Sequence, residues 1–313
     1  MLDWAILAAR LLQYAGGLIL FGSALFLLYG MDEEQSPTSA DRPPWAQRLL
    51  LAAAIVALAG NLAWLMGETA SLTGELRNGI DWTSLWSMVS DTRFGRIGAL
   101  RIAVLLCSTI LLLSLRSSRG LWIVQAAIGA FVVASFAWTG HGSMDSGAAG
   151  LLHRGSDIAH LLAAGVWVGA LVPLSIQVLR SIASRSRVQA GATERALERF
   201  SGVGAAVVCT LILTGTVNSW FLIGPARWRE LFTMPYGRLL LVKLALFVLM
   251  LMLAAANRYR LVAALNASIT ASSPVLPAMR ALRLSVMVET ALALLVIAVV
   301  EMLGTLTPPV ANE

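Results

Sequence analysis

The imidazoles of this 313-residue chain are gathered on one stretch: His141, His153 and His160 are its three histidines, and Met144, Asp145 and Asp157 lie among them. Neutral imidazole ligates transition metals near pH 7, and a thioether adds the softness that favours copper over zinc. Spacings of four and three put His153, Asp157 and His160 on one helical face, with Ala164 and Trp167 continuing the stripe. Ser156 is an alternative helix start that would leave His153 in a loop. On either reading Asp157 and His160 are neighbours, and a carboxylate there ligates a metal or orients an imidazole from behind. His141 and Met144 sit one short connection away. The candidate metal set is therefore His141, Asp157 and His160, with Met144 or His153 as a further ligand. The plainer alternative is that the histidines only satisfy hydrogen bonds at a membrane edge.

The elements that must position these residues are membrane spans. The chain is 58% hydrophobic and 13% charged, with mean hydropathy +0.77, against roughly 25% charge in a soluble domain. Runs long enough to cross about 30 Å of hydrocarbon fall at about Ala5–Tyr29, Ala46–Gly67, Phe94–Leu115, Leu121–Trp138, Asp157–Leu179, Phe200–Ile223, Leu239–Asn257 and Leu284–Leu306. This predicts an all-α polytopic protein of eight transmembrane helices, a single transmembrane domain over 1–313, with the histidines at one mouth of the fourth and fifth helices. The first run follows Asp3 rather than a basic segment and reads as a retained helix. Cys107 and Cys209 fall mid-span, which argues against a disulfide framework and predicts buried thiols. Asp81 followed by Trp82, Leu85, Trp86 and Val89 has the pattern of a helix lying in the interface, although a loop of an aromatic belt that only anchors is the plainer reading.

Charge sets the expected orientation. Thirteen arginines, from Arg42 to Arg283, assign to the odd-numbered connections and seven, from Arg77 to Arg238, to the even ones. The excess places the odd connections in the cytoplasm and both termini and the histidine loop outside, which in a bacterium is the periplasm. The net charge of +6 thus reflects topology and membrane-lipid contact rather than nucleic acid. Arg10, Glu68, Arg101, Lys243 and Glu301 fall in the outer halves of their helices with Asp157 and His160, and intramembrane charges of this kind turn inward and pair. Lys243 is the lone lysine of the chain. Phe94-Gly95-Arg96 followed by Arg101, and Tyr236-Gly237-Arg238 followed by Lys243, open the third and seventh helices alike. The repeat suggests two parallel four-helix halves, 1–139 and 140–313.

No phosphate-binding loop of the form G-x-x-x-x-G-K-[ST] and no Asp-Lys-Thr-Gly phosphorylation site is present, so no local motif supplies an energy source, and the chain is read as a non-enzyme whose cargo moves by its own gradient or is handed on. The segments RFSGVGAAVVCTLILTGTVNSWF, MPYGRLLLVKLALFVLMLMLAAANRYRLVAAL, TRFGRIGALR and GHGSMDSG with DIAHLLAAGVWVGAL resemble the copper-resistance D proteins of bacterial inner membranes. Trp167, Tyr236, Gly237, Arg238, Asn257 and Arg258 are the residues that carry the likeness most specifically. The resemblance implies an eight-helix protein of copper homeostasis that passes copper ion across the inner membrane in concert with a periplasmic carrier of the C type. It supplies no ligand set, so the histidine assignment rests on the chemistry above. Two alternatives stand beside it: a haem protein with two axial histidines and Arg10, Arg101 and Lys243 on the propionates, or a non-transporting partner of the carrier.

Overall fold

A computed structural model describes residues 2–31, 43–139 and 147–312. His141, Met144 and Asp145 lie outside the described residues. The protein is all-α with eight helices long and apolar enough to cross a membrane. The spans are α1 (Leu2–Tyr29), α2 (Pro44–Thr73), α4 (Arg93–Ser114), α5 (Arg119–Ser135), α6 (Gly147–Ser184), α7 (Arg187–Leu222), α9 (Pro235–Ala256) with its continuation α10 (Val262–Thr270), and α11 (Leu276–Leu303). Two short helices lie at the histidine end of the bundle, α3 (Trp82–Asp91) before α4 and α8 (Glu230–Thr233) before α9.

Local chemistry accounts for the boundaries. Gly74, in the left-handed conformation at φ 75°, ends α2. The Ser84 N–H (2.8 Å) and hydroxyl (2.9 Å) both donate to Asp81 at the start of α3. These bonds, the backbone one foremost, hold the Asp81 carboxyl below the usual carboxylate range. A helix is thus observed here, and Trp82 and Trp86 are exposed on it. Both aromatic-Gly-Arg motifs open their helices in one setting: Gly95 packs on the Met88 carbonyl of α3, and Gly237 on the Glu230 carbonyl of α8. That is a likeness of local setting, not of whole halves.

Three expectations are corrected. The spans read as ending at Leu179 and resuming at Phe200 are joined by helix but for a two-residue break, because α6 has 38 residues and α7 has 36. At 1.5 Å per residue α6 is about 57 Å long, well beyond the hydrocarbon core, so it projects from the membrane. Helix α6 begins at Gly147, so Ser156 is no cap; its hydroxyl donates to the Thr214 carbonyl at 3.2 Å, and His153 is helical. Cys107 and Cys209 are free thiols, as expected, but exposed rather than buried. Leu106 and Ile110 are exposed with Cys107, as a face turned to lipid is, and Cys209 borders an open cavity beside α9.

Helix α1 is the most enclosed span, and α7 and α9 are the least. Helix α1 crosses α6 at glycines: a Cβ on Gly22 would strike the Gly165 carbonyl and the Gly169 Cα, and the Ser23 hydroxyl donates to the Gly169 carbonyl at 2.7 Å. Helix α7 leans on α6, and α9 on α11. The space between α7 and α9 is therefore filled incompletely, and that is where the site lies.

Candidate functional site

His153, Asp157 and His160 project from one face of α6 into a cavity of about 200 Å³ bounded by α1, α6, α7, α9 and α11. His160 is fixed from α7: its Nδ1 lies 2.9 Å from the Thr214 hydroxyl oxygen. That hydroxyl has one proton, and it goes to the Thr210 carbonyl at 2.6 Å. Nδ1–H must then be the donor to Thr214, which leaves the Nε2 lone pair free as a ligand. The ring of His153 is buried and stacked on Phe221, with centroids 4.7 Å apart and planes at 5°. Asp157 is half-buried on the same wall. The Asn218 carbonyl oxygen of α7 is buried without a hydrogen-bond partner at this cavity. Among the described residues no three of the His, Cys, Asp and Glu side chains stand close enough to hold a metal by themselves.

The inward charges divide into two groups. Arg10 donates through Nε to Glu301 at 2.9 Å across the α1–α11 contact. Both line the cavity, and Gly304 leaves the room that the guanidinium occupies. Breaking such a pair from one side costs about 3–5 kcal/mol, because a charge is left buried and alone. Lys243 lines the cavity from α9 and interacts electrostatically with Asp157, without an ion pair within 4 Å among the described residues. Glu68 of α2 is half-buried within electrostatic reach of Arg10.

Arg101, in contrast, is 1% exposed and held by neutral groups: Gln13 (3.2 Å), Asn61 (3.5 Å) and Thr139 (2.9 Å), with the Phe136 ring centroid at 4.8 Å. It has no carboxylate at ion-pair distance among the described residues, and the expected placement beside one is not what the packing gives.

Of the residues singled out by resemblance, Tyr236, Trp167, Asn257 and Arg258 line a succession of cavities, whereas Gly237 and Arg238 set the start of α9. Tyr236 lines the histidine cavity, Gly237 seats α9 on α8, and Arg238 donates to the Phe232 carbonyl at 3.0 Å. A second cavity of about 410 Å³ shares His160 and Lys243 with the first and reaches Trp167 and Met250. A third, of about 360 Å³, shares Trp167 and ends on Asn257, Arg258 and Glu289. A fourth, of about 720 Å³, shares Arg258 and continues to Thr270 near the opposite end of the bundle. Sequence reasoning missed Thr214 and Asn218 of α7, and missed that Trp167 and Asn257 are held by Glu289. Thr214 and Asn218 carry no local signal, since both meet the site from another helix.

Comparison with known proteins gives this line of residues a context. The family model for the N-terminal domain of copper resistance protein D-like proteins matches residues 1–151, and the model for copper resistance protein D matches residues 194–303. Copper resistance protein D of Pseudomonas syringae pv. tomato is 33% identical over 312 residues, covering 96% of each chain. Inner membrane protein YebZ of Escherichia coli strain K12 is 28% identical over 317 residues, covering 98% of this chain and 100% of the relative. Copper transport protein CutJ of Bacillus subtilis strain 168 is 31% identical over 140 residues, which is 44% of this chain and 24% of that protein. No solved structure matches. With two matched models and an end-to-end relative above 30% identity, the eight-helix chain that carries this line of cavities belongs to the copper resistance protein D family.

Proposed function

We propose that the protein takes up copper ion at the histidine end and passes it across the bacterial inner membrane through the line of cavities between α6, α7, α9 and α11. The observation that carries the reading is the convergence of His153, Asp157 and His160 on one cavity, with His160 held in the tautomer that leaves Nε2 free. His141 and Met144, on the segment just before α6 in sequence, complete the ligand set in this reading. A nitrogen ligand from each side of the segment, a carboxylate and a thioether form a donor set suited to copper. Lys243 and Arg10 keep the cavity from becoming a permanent trap, because fixed positive charge opposes an arriving cation while Glu301 balances Arg10. The arginine bias sets the histidine end outward, where a periplasmic carrier of the C type would deliver its ion.

The test is the metal content of the purified protein. Wild-type protein is expected to retain copper stoichiometrically, and His141→Ala combined with His160→Ala to lose it. Unchanged copper content in the double variant contradicts the assignment. A Soret band that follows the protein and disappears in either single variant would replace copper by haem.

A further inference from the structure

The third cavity lies in the membrane half opposite the histidines, and its polar groups are arranged in a way that packing alone does not explain. Glu289 of α11 is 2% exposed, and its two oxygens accept from the Trp167 indole N–H (2.8 Å) and the Asn257 amide N–H (2.9 Å). Both donors are neutral, and no cation stands within ion-pair distance among the described residues. Arg258 borders the cavity, but its guanidinium donates to the Ser201 carbonyl at 3.3 Å and lies 5.5 Å from the Tyr259 ring centroid. A carboxylate kept from water without a counter-charge is costly and is neutralised by a proton or by another cation that displaces it.

The second observation is independent of Glu289. Asn257 is 8% exposed, and having turned its amide N–H to Glu289 it leaves its carbonyl oxygen buried without a partner on the cavity wall. It stands at the first position of a π-helical turn, Asn257–Leu261, where α9 passes into α10. Single π turns inside α-helices widen the backbone locally and recur at functional sites. The Cys209 thiol lines the same cavity from α7. Carboxylate, amide carbonyl and thiol from three helices thus face one space, each with donor capacity unused by the protein.

We propose that Glu289, Asn257 and Cys209 form a second, inner station for monovalent copper, beyond Trp167 from the histidines. The inference rests on the reading that copper is the cargo. A thiolate is a soft donor that selects copper(I), and the two oxygens supply charge and further coordination. Met250, 5% exposed on the middle cavity, offers a thioether between the two stations. Trp167 borders the middle and inner cavities alike and is tied to Glu289, so a change in the occupancy of Glu289 reaches the partition between them.

The experiment is an anaerobic titration of the protein in lipid nanodiscs with copper(I) against a chromophoric copper(I) chelator. Wild-type protein is expected to take one equivalent at each station. Glu289→Gln should lose the inner equivalent and keep the one that His141→Ala with His160→Ala removes. Full stoichiometry and unchanged affinity in Glu289→Gln overturn the inner station. A single wild-type equivalent, lost with the histidines and indifferent to Glu289, overturns it while leaving the outer reading intact. No binding at all defeats both. A second measurement needs no change at Glu289: in a Cys107→Ala background, copper(I) should slow alkylation of Cys209 by N-ethylmaleimide about tenfold or more. Equal rates with and without copper(I) remove Cys209 from the station.

Discussion

At the scale of the residue, the site depends on one proton. Thr214 spends its hydroxyl proton on the Thr210 carbonyl and so fixes which nitrogen of His160 is free. Thr214→Val keeps the shape and removes the hydroxyl, leaving the ring free to choose the other tautomer or to turn. Copper affinity is expected to fall about 10- to 100-fold, the usual range for losing the group behind a ligating histidine, with folding little changed. A chelator-competition titration of the variant checks this, and wild-type affinity would contradict it. The face shared by His153, Asp157 and His160 was legible in the sequence because helical periodicity is local. Thr214 was not, because it stands 54 positions from His160, and Trp167 stands 122 from Glu289. Arg101 shows the converse. The lone cations of apolar runs read as partners of carboxylates, yet Arg101 is satisfied by Gln13, Asn61 and Thr139, neutral residues that look ordinary in the sequence.

At the scale of the element, the spans were legible and their lengths were not. Hydropathy reports the part of a helix inside the membrane. The arginines and glutamates of residues 185–199 read as a loop by charge, although both types favour helix, and here they extend α6 and α7 beyond the membrane. The thiols show the same limit: an apolar run conceals which side of a helix meets its neighbours, so Cys107 and Cys209 turned out to be exposed. The α1–α6 crossing is where shape decides most. Because any Cβ at Gly22 meets the Gly165 carbonyl, Gly22→Val forces the helices apart. The expected cost is about 1–3 kcal/mol, as for overpacking in a tight core. A lowered midpoint in a thermal unfolding scan of the detergent-solubilised protein checks it. Gly155, with nothing within 4 Å of an added Cβ, is the control, and Gly155→Ala should leave the midpoint in place. Equal midpoints for Gly22→Val and wild type would mean that the crossing yields without strain.

At the scale of the whole molecule, the proposed passage has a direction. Orientation rests on the arginine bias alone and is tested by impermeant thiol labelling in intact cells. In a background lacking Cys107 and Cys209, Glu75→Cys at the histidine end should label, and Val188→Cys at the other end should be protected. Both positions are exposed, and the reverse pattern would turn the molecule over. The line of cavities was beyond the reach of the sequence, since it arises where α7 and α9 each lean on another helix and leave space between them. Passage of copper along that line is measured most directly as copper(I) entry into proteoliposomes loaded with a fluorescent copper(I) chelator. Saturable entry above that of protein-free vesicles is expected, and its loss in His141→Ala with His160→Ala. Entry no faster than into empty vesicles, or equally fast in the double histidine variant, would contradict it.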